Sequence, residues 1–199
     1  MLKVYKIISI VLATVILLFG NVQGICVLEA ITNIVHQRLY NEEYRAQLHY
    51  SSIENWINDP NGLVFDPSNN TYHMFYQYNP NDGTGIGNQV WGHAVSDDMI
   101  HWRELPVAIP QDSLGNVWSG SAVVDEDNTS GFFTYNKPGE SKLVALYTAQ
   151  CNDGTHDMQR QCVAYSKNHG LTWVRPTLEK DGFENPVIPN DNDKYGIFL

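Results

Sequence analysis

The stretch Trp56-Ile57-Asn58-Asp59-Pro60-Asn61-Gly62 combines one carboxylate with an aromatic ring and a dense cluster of turn-forming residues. Pro60 fixes its own φ and favours an extended Asp59, while Gly62 permits a sharp backbone reversal. A strand-like run, Leu63-Val64-Phe65, follows directly. The pattern predicts a stiff turn at the mouth of a sheet, which suits a carboxylate that must be held still for chemistry. The same residues also fit an ordinary surface turn.

The elements that would position Asp59 are short strands separated by turns, and no long helical pattern follows residue 50. This pattern predicts an all-β fold. The predicted strands are Leu63–Phe65, Tyr72–Tyr78, Gln89–Ser96, His101–Leu105, Trp118–Asp125, Leu143–Gln150, Gln161–Ser166 and Thr172–Arg175.

Residues 93–102 and 163–173 repeat one pattern of an apolar strand, a serine, a polar turn and a tryptophan. Ser96 and Ser166 lie 70 positions apart, and each period holds about four strands. Four antiparallel strands per repeat are typical of a β-propeller blade, although two hairpins of an unrelated β protein would look alike. A propeller closes with about four to eight blades, so two blades lead us to expect a fragment, with a chain whose open edge strands are covered by partners as the alternative.

The N-terminal residues have the pattern of a secretory signal. Lys3 and Lys6 precede the apolar run Ile7–Phe19, and a small polar segment ends at Gly24. We therefore expect residues 1–24 to be a signal peptide that is cleaved near Gly24, with an uncleaved anchor as the alternative. Its apolar run of 13 residues is short of the ~20 that a membrane-spanning helix needs.

Removing residues 1–24 removes Lys3 and Lys6 and no acidic residue. The remaining chain has 10 Lys and Arg against 22 Asp and Glu, a net charge of −12. Such a surface repels nucleic acid and anionic membranes. It fits a soluble, secreted protein with a neutral partner such as a sugar.

Two N-glycosylation sequons, which begin at Asn69 and Asn128, agree with a secreted protein. Cys151 and Cys162 flank a polar turn and would lie near each other in a hairpin, which an oxidising compartment could convert into a disulfide. Cys26 has no evident partner. No Cys or His spacing matches a metal site, so we expect neither metal nor cofactor.

Residues 25–48 are predicted to be a lead-in segment, in which residues 34–48 would hold a short helix. Tyr40, Tyr44 and Leu48 fall at helical spacing and would form one apolar stripe.

Four motifs in one order resemble the β-fructofuranosidases, the invertases and fructanases of glycoside hydrolase family 32. Trp56–Gly62 resembles the family signature, and the segments 73–80 and 91–98 resemble its second and third conserved strands. Trp118-Ser119-Gly120-Ser121 resembles its W/F-S-G-S motif. The resemblance assigns residues 49–188 to the N-terminal part of the family propeller, the first two blades of five. We expect residues 189–199 to be a divergent or truncated tail.

The resemblance implies hydrolysis of terminal β-fructofuranosyl bonds in sucrose or fructans with retention of configuration. Asp59 matches the family nucleophile, and Asn58 would orient it or bind fructosyl hydroxyls. Trp56 and Ile57 would line the pocket for the terminal sugar, and Gln77 would bind the same sugar. Trp118 and Ser119 match an aromatic wall and a hydroxyl contact. Without the resemblance, Trp56 and Trp118 could equally be ordinary core residues, and Gln77 could serve only in the pairing of strands.

The sequence departs from the family pattern at three places. Ile86 replaces a tryptophan that usually helps to wall the pocket. The Arg-Asp-Pro motif expected after Ile188 is absent, and so is the Glu-Cys motif that holds the acid/base. Because proton assistance is typically worth about 10²–10⁴-fold in rate, we expect the chain alone to be inactive. The alternatives are a non-catalytic fructoside-binding fragment and an inert truncated relic.

Overall fold

A computed structural model describes residues 40, 42–81, 83, 87–152 and 157–188. The predicted signal peptide, Cys26, Ile86 and the tail at 189–199 lie outside these residues. The chain forms two units, Met1–Ile53 and Glu54–Leu199.

The described part of the first unit is a chain of turns and bends, so the helix predicted there is wrong for residues 42–48. Tyr44 and Leu48 are 91% and 90% exposed and form no apolar stripe. The Arg45 guanidinium donates to the carbonyl of Ile53 at 2.9 Å and to Ser51 Oγ at 3.1 Å. These bonds fold the segment back on itself, and a helix would pull the partners apart.

The second unit contains two antiparallel sheets. The first has four strands in the order β1 (Trp56–Asp66), β2 (Thr71–Asn79), β3 (Val90–Ser96) and β4 (Arg103–Ile109). The second has three strands in the order β5 (Asn116–Val124), β6 (Leu143–Asn152) and β7 (Asp157–Ser166). The described part of this unit also contains one short helix, α1 (Leu178–Asp181), which ends at Gly182 in the left-handed conformation. The all-β prediction is confirmed, and the sheets do not close into a ring.

The eighth predicted strand, Thr172–Arg175, is wrong. Only Val174 pairs, through two backbone hydrogen bonds with Tyr165 at 2.8 and 2.9 Å. Thr172 is held in the preceding turn, where its N–H donates to Asn168 Oδ1 at 3.0 Å. Arg175 leaves the sheet to donate to the Tyr147 hydroxyl at 2.9 Å, and the next residue is a proline, which has no N–H to continue a ladder.

One apolar core joins the two sheets because alternate residues of each strand face the other sheet. It contains Phe75, Trp91, Ala108, Ile109, Val117, Ala145, Tyr147, Ala149, Cys162 and Ala164. A second cluster covers the other face of β6 and β7 with Phe132 and Phe133 from the loop that follows β5. The shared core fixes how the first strand of each sheet, β1 and β5, lie beside each other.

The predicted repeat is visible as two turns built by the same hydrogen bonds. Ser96 Oγ donates to Asp98 Oδ1, and Ser166 Oγ to Asn168 Oδ1, at 3.0 Å in each case. A tryptophan closes each turn with its indole N–H, on Met99 O at 3.2 Å and on Gly170 O at 3.0 Å. The two turns thus repeat one pattern, as expected for two blades, although the second sheet has three strands and the first has four.

The predicted disulfide between Cys151 and Cys162 is wrong. Cys162 is a free, buried thiol that lies opposite Tyr147, whereas Cys151 lies opposite Met158. The hairpin therefore separates the two positions by four residues along the strands, about 13 Å at ~3.4 Å per residue. A disulfide needs Cα atoms within about 7 Å.

Candidate active site

The sequence analysis predicted that Asp59 lies on a turn at the mouth of a sheet. In the structure Asp59 lies instead on a β-bulge inside β1. Asn58 and Asp59 together lie opposite Gln77, where a regular ladder would match one residue with one. Pro60 is tolerated there because β1 is an edge strand and the bulge interrupts the ladder. The turn-forming residues thus bend a continuous strand and push the Asp59 carboxylate out of it, so that the side chain is exposed.

A matching bulge lies in β5. Trp118 and Ser119 together lie opposite Thr148 of β6, just as Asn58 and Asp59 lie opposite one residue of β2. Gly120 ends this bulge at a place without room for a side chain, since a Cβ there would lie 2.0 Å from Leu146 O. The first strand of each sheet is therefore bulged at the residues that the sequence analysis selected.

The two bulges meet at Asp59 and Ser119. Ser119 Oγ donates a hydrogen bond to Asp59 Oδ2 at 2.8 Å, across the boundary between the sheets. The bond holds the carboxylate by one oxygen, Oδ2, while the Asp59 side chain stays exposed. An exposed carboxylate, held by one edge, can act as a nucleophile or as a base.

The other predicted site residues differ in how deeply they are buried. Asn58 is exposed beside Asp59, while Trp56, Ile57 and Trp118 are half-buried and offer part of their surface to solvent. Gln77 is only 4% exposed, and its Nε2 donates to the Val117 carbonyl at 3.1 Å. The structure brings Asp59, Ser119 and Gln77 together around the two bulges and places Gln77 beneath them.

The sequence analysis missed Asn61 and Trp91 as members of this region. Asn61 is 1% exposed and Trp91 is fully buried, and the Trp91 indole N–H donates to the Trp118 carbonyl at 2.9 Å. In the sequence analysis Asn61 stands among the turn-forming residues, and Trp91 belongs to the segment 91–98 without a role of its own. The one signal that could have found them is that both belong to motifs of the family resemblance, Asn61 to Trp56–Gly62 and Trp91 to the segment 91–98.

Two buried histidines lie on neighbouring strands of the first sheet, His73 on β2 and His93 on β3. His73 Nδ1 and His93 Nε2 are 2.9 Å apart, and the His93 ring stacks on Phe75 at 4.4 Å between centroids. Burial lowers the pKa of His73 from 6.5 to about 4 and that of His93 to about 3. Both imidazoles are therefore neutral near pH 7, and one proton joins them.

Asp66, at the end of β1, forms a second contact between the sheets. Its Oδ2 accepts from His169 Nδ1 at 3.0 Å, and its Oδ1 accepts the Ser68 N–H at 2.9 Å. Although burial opposes ionisation of Asp66, its bonds to Ser68 and His169 lower the carboxyl pKa.

Within the described residues, no group of three or more His, Cys, Asp or Glu could hold a metal ion. No helix in the described part of the chain is long and apolar enough to cross a membrane.

A family model, the glycosyl hydrolases family 32 N-terminal domain, matches residues 49–196. An extracellular exo-inulinase of Aspergillus niger is 43% identical over 180 residues, which are 83% of this chain and 32% of the relative. A levanase of Bacillus subtilis (strain 168) is 47% identical over 155 residues, 78% of this chain and 20% of the relative. The chain thus spans about a third or less of the length of these curated relatives.

Two solved structures show the same arrangement. The exo-inulinase of Aspergillus awamori is 43% identical with a TM-score of 0.63, over 76% of this chain and 30% of the other. The fructofuranosidase of Schwanniomyces occidentalis in complex with fructose is 38% identical with a TM-score of 0.64, over 75% and 28%. The family match, the relatives and the antiparallel sheets agree, and the chain belongs to glycoside hydrolase family 32 as part of its N-terminal β-propeller domain.

Proposed function

We propose that this chain supplies the nucleophile side of a retaining glycosidase that hydrolyses terminal β-fructofuranosyl bonds of sucrose or fructans. The observation that supports it most is the exposed Asp59 carboxylate, held at 2.8 Å by Ser119 on two matched bulges. Similarity to an exo-inulinase, a levanase and a fructofuranosidase bound to fructose supports the substrate class. Similarity to an extracellular relative supports secretion.

In the first step, Asp59 Oδ1 forms a bond to the anomeric carbon of the fructosyl unit while the glycosidic C–O bond breaks. The bonding pair leaves on the glycosidic oxygen, which takes a proton from an acid about 5–5.5 Å from the nucleophile. Water then attacks the anomeric carbon and gives its proton back to the deprotonated acid, while the bond between that carbon and Asp59 breaks, which releases fructose and restores the carboxylate. The Ser119 hydrogen bond keeps the nucleophile in one orientation, so less reorganisation precedes attack.

The surrounding residues would bind the terminal sugar. Trp56 and Trp118 offer ring faces that suit the C–H face of a fructose ring, and Ile57 completes the apolar lining. Asn58 can donate to a sugar hydroxyl beside the nucleophile. Gln77 Nε2 donates to the Val117 carbonyl, and its Oε1 is the atom that would accept from a hydroxyl.

No glutamate of this sequence matches the setting of the family acid/base, so the proposed reaction needs a carboxyl from outside these 199 residues. The purified chain should therefore show no hydrolysis of sucrose, inulin or levan. Weak fructose binding that depends on Asn58 and Trp118 would favour the fructoside-binding alternative, and no binding would favour an inert relic. Calorimetry with fructose and sucrose distinguishes these outcomes.

A chimera tests the catalytic assignment directly. Residues 49–188 of this chain replace the corresponding residues of the Aspergillus awamori exo-inulinase, to which the chain is 43% identical. We expect inulin hydrolysis by the chimera and a loss of at least about 10³-fold in kcat with Asp59→Asn, because no covalent intermediate forms. Asp97→Asn, at an exposed position outside the bulges, is the matched control. A fully active Asp59→Asn chimera would overturn the proposal.

A further inference from the structure

A buried set of hydrogen bonds lies beneath the two bulges and joins the sheets. From the first sheet, Gln77 Nε2 donates to Val117 O at 3.1 Å and Trp91 Nε1 donates to Trp118 O at 2.9 Å. These two carbonyls are consecutive along β5 and directly precede Ser119. The Val117 N–H is also held, by the Gln89 carbonyl at 3.0 Å. The first sheet therefore holds the β5 backbone where it enters its bulge.

Asn61 connects this arrangement to β1, two residues after Asp59. With its amide oriented so that the oxygen faces the Gln77 and Trp91 donors, its oxygen accepts from Gln77 Nε2 at 3.0 Å and from Trp91 Nε1 at 3.3 Å. The same oxygen accepts the Gln77 backbone N–H at 3.3 Å, and the Asn61 amide nitrogen donates to Pro60 O at 3.2 Å. Asn61 thus satisfies a strand N–H at the place where the bulge disrupts the ladder.

We propose that Asn61, Gln77 and Trp91 are positioning residues that hold the bulge of β1 and the bulge of β5 in one register, so that Ser119 meets Asp59. Asn61 fixes the β1 side, and the Gln77 and Trp91 donors fix the β5 side. The inference deepens the proposed function and rests on it for the role of Asp59. Its physical basis is that a bulge lacks part of its ladder and gains a unique geometry only from side-chain bonds.

A simpler role would be that these residues only fill the core, in which case their loss would lower stability without changing the contact above them. The contact between Asp59 and Ser119 is measurable by itself, as the coupling in a double-mutant cycle of Asp59→Ala and Ser119→Ala. Both positions lie at the surface end of the bulges, so the variants should fold. We expect the unfolding equilibrium constant to show a coupling of about fivefold, the net size of a typical hydrogen bond in a protein.

The cycle is then repeated in two tryptophan backgrounds, with urea unfolding of the full chain at pH 7. Trp91→Phe removes the indole N–H that holds Trp118 O and keeps a ring in the core. Trp173→Phe is the matched control, since its indole donates to Gly170 O at 3.0 Å in a turn away from the bulges and its ring packs against the same core. We expect the coupling to vanish with Trp91→Phe and to stay about fivefold with Trp173→Phe.

Gln77→Met provides a second variant of similar volume if Trp91→Phe does not fold, and it should abolish the coupling as well. Equal coupling in all backgrounds would overturn the positioning role and leave Asn61, Gln77 and Trp91 as core residues. Because urea unfolding needs no substrate, an inactive chimera would refute the proposed function and leave this result intact. An active chimera with unchanged coupling would refute only the inference.

Discussion

At the scale of single residues, the two predicted glycosylation sites differ in how the fold uses their asparagines. Asn69 lies exposed in the turn between β1 and β2. Asn128 has a φ of 54°, a left-handed conformation that asparagine tolerates better than most residues. Its Oδ1 accepts the Phe133 N–H at 2.8 Å, and its Nδ2 donates to Thr134 Oγ1 at 3.3 Å. A glycan is attached to Nδ2, so on Asn128 it would compete with the bond to Thr134 Oγ1 that helps to close this loop.

We therefore predict that secretion from a eukaryotic host modifies Asn69 more completely than Asn128. Peptide mass spectrometry after enzymatic glycan removal in ¹⁸O water measures the occupancy of each site. Asn128→Gln should lower the free energy of unfolding by about 1–2 kcal/mol, whereas Asn69→Gln should change it little. Full occupancy of Asn128 in a protein of normal stability would contradict this view of the loop.

The residue types around Asp59 were more informative about chemistry than about geometry. The motifs selected Asp59, Ser119 and Gln77, and the structure brings all three together. The sequence did not reveal that Gln77 is buried with its donor already used, because burial of a strand residue depends on which sheet packs above it. Asn61 was hidden for a related reason, since asparagine beside proline and glycine is far more often a turn residue than a buried connection.

At the scale of elements, the bulges are what sequence patterns failed to predict. The short runs between turns identified most strands to within a few residues, because each strand contributes apolar residues to a buried core. Pro60 and Gly62 were interpreted as a turn, although β1 continues through them and pairs with β2 on both sides. A bulge adds one residue and shifts the pattern by one position, which a propensity argument cannot distinguish from the end of a strand.

Gly120→Ala should destabilise the second sheet strongly. The new methyl group would lie 2.0 Å from Leu146 O and 2.7 Å from Tyr147 Cα, and both atoms belong to the backbone of β6. We expect a loss of about 3 kcal/mol or more in urea unfolding, since β5 must separate from its neighbour. Gly139→Ala is the control, because a methyl group there has no neighbour within 4 Å and only its φ of 85° opposes the change. Equal losses would show that the β5 bulge can adjust.

The histidine pair makes the pairing of β2 with β3 sensitive to acid. The pKa of His73 falls from 6.5 to about 4 in the folded protein, and that of His93 to about 3, because burial disfavours the charged form. The unfolded chain therefore binds more protons between these values. The stability that the pair contributes is complete above pH 6.5 and is lost as the pH falls towards about 4.

Urea unfolding between pH 7.5 and 4.5 should reveal a loss of a few kcal/mol, at up to about 1.4 kcal/mol per pH unit for each histidine. The double variant His73→Gln, His93→Gln should give a flatter pH profile even if it is less stable at pH 7. Parallel profiles for the variant and the parent chain would show that other groups cause the acid sensitivity.

At the scale of the whole second unit, the two sheets share one apolar core. Phe75 and Trp91 of the first sheet lie in the same cluster as Tyr147 of the second. The Trp91 and Tyr147 rings pack edge to face with 6.3 Å between their centroids. His169 and Asp66 add a bond between the sheets at the far end of β1. Neither sheet can lose its partner without exposing this apolar surface.

We predict that the two sheets unfold in one transition. Native-state hydrogen exchange should give the same opening free energy for amides of β2 and β6, and Tyr147→Ala should lower both by a similar amount, about 3–5 kcal/mol. A lower opening free energy for β5, β6 and β7 than for β2 and β3 would mean that each sheet folds independently.

The free thiol in this core gives the protein a built-in reporter of opening. Cys162 has no disulfide partner and is fully buried, and burial raises its pKa to about 11. Iodoacetamide reacts with the thiolate, so alkylation of Cys162 must await separation of the sheets. Peptide mass spectrometry of timed samples would follow Cys162 separately from Cys26 and Cys151. Labelling of Cys162 should be negligible in buffer and accelerate in parallel with urea unfolding, with no need for an engineered probe.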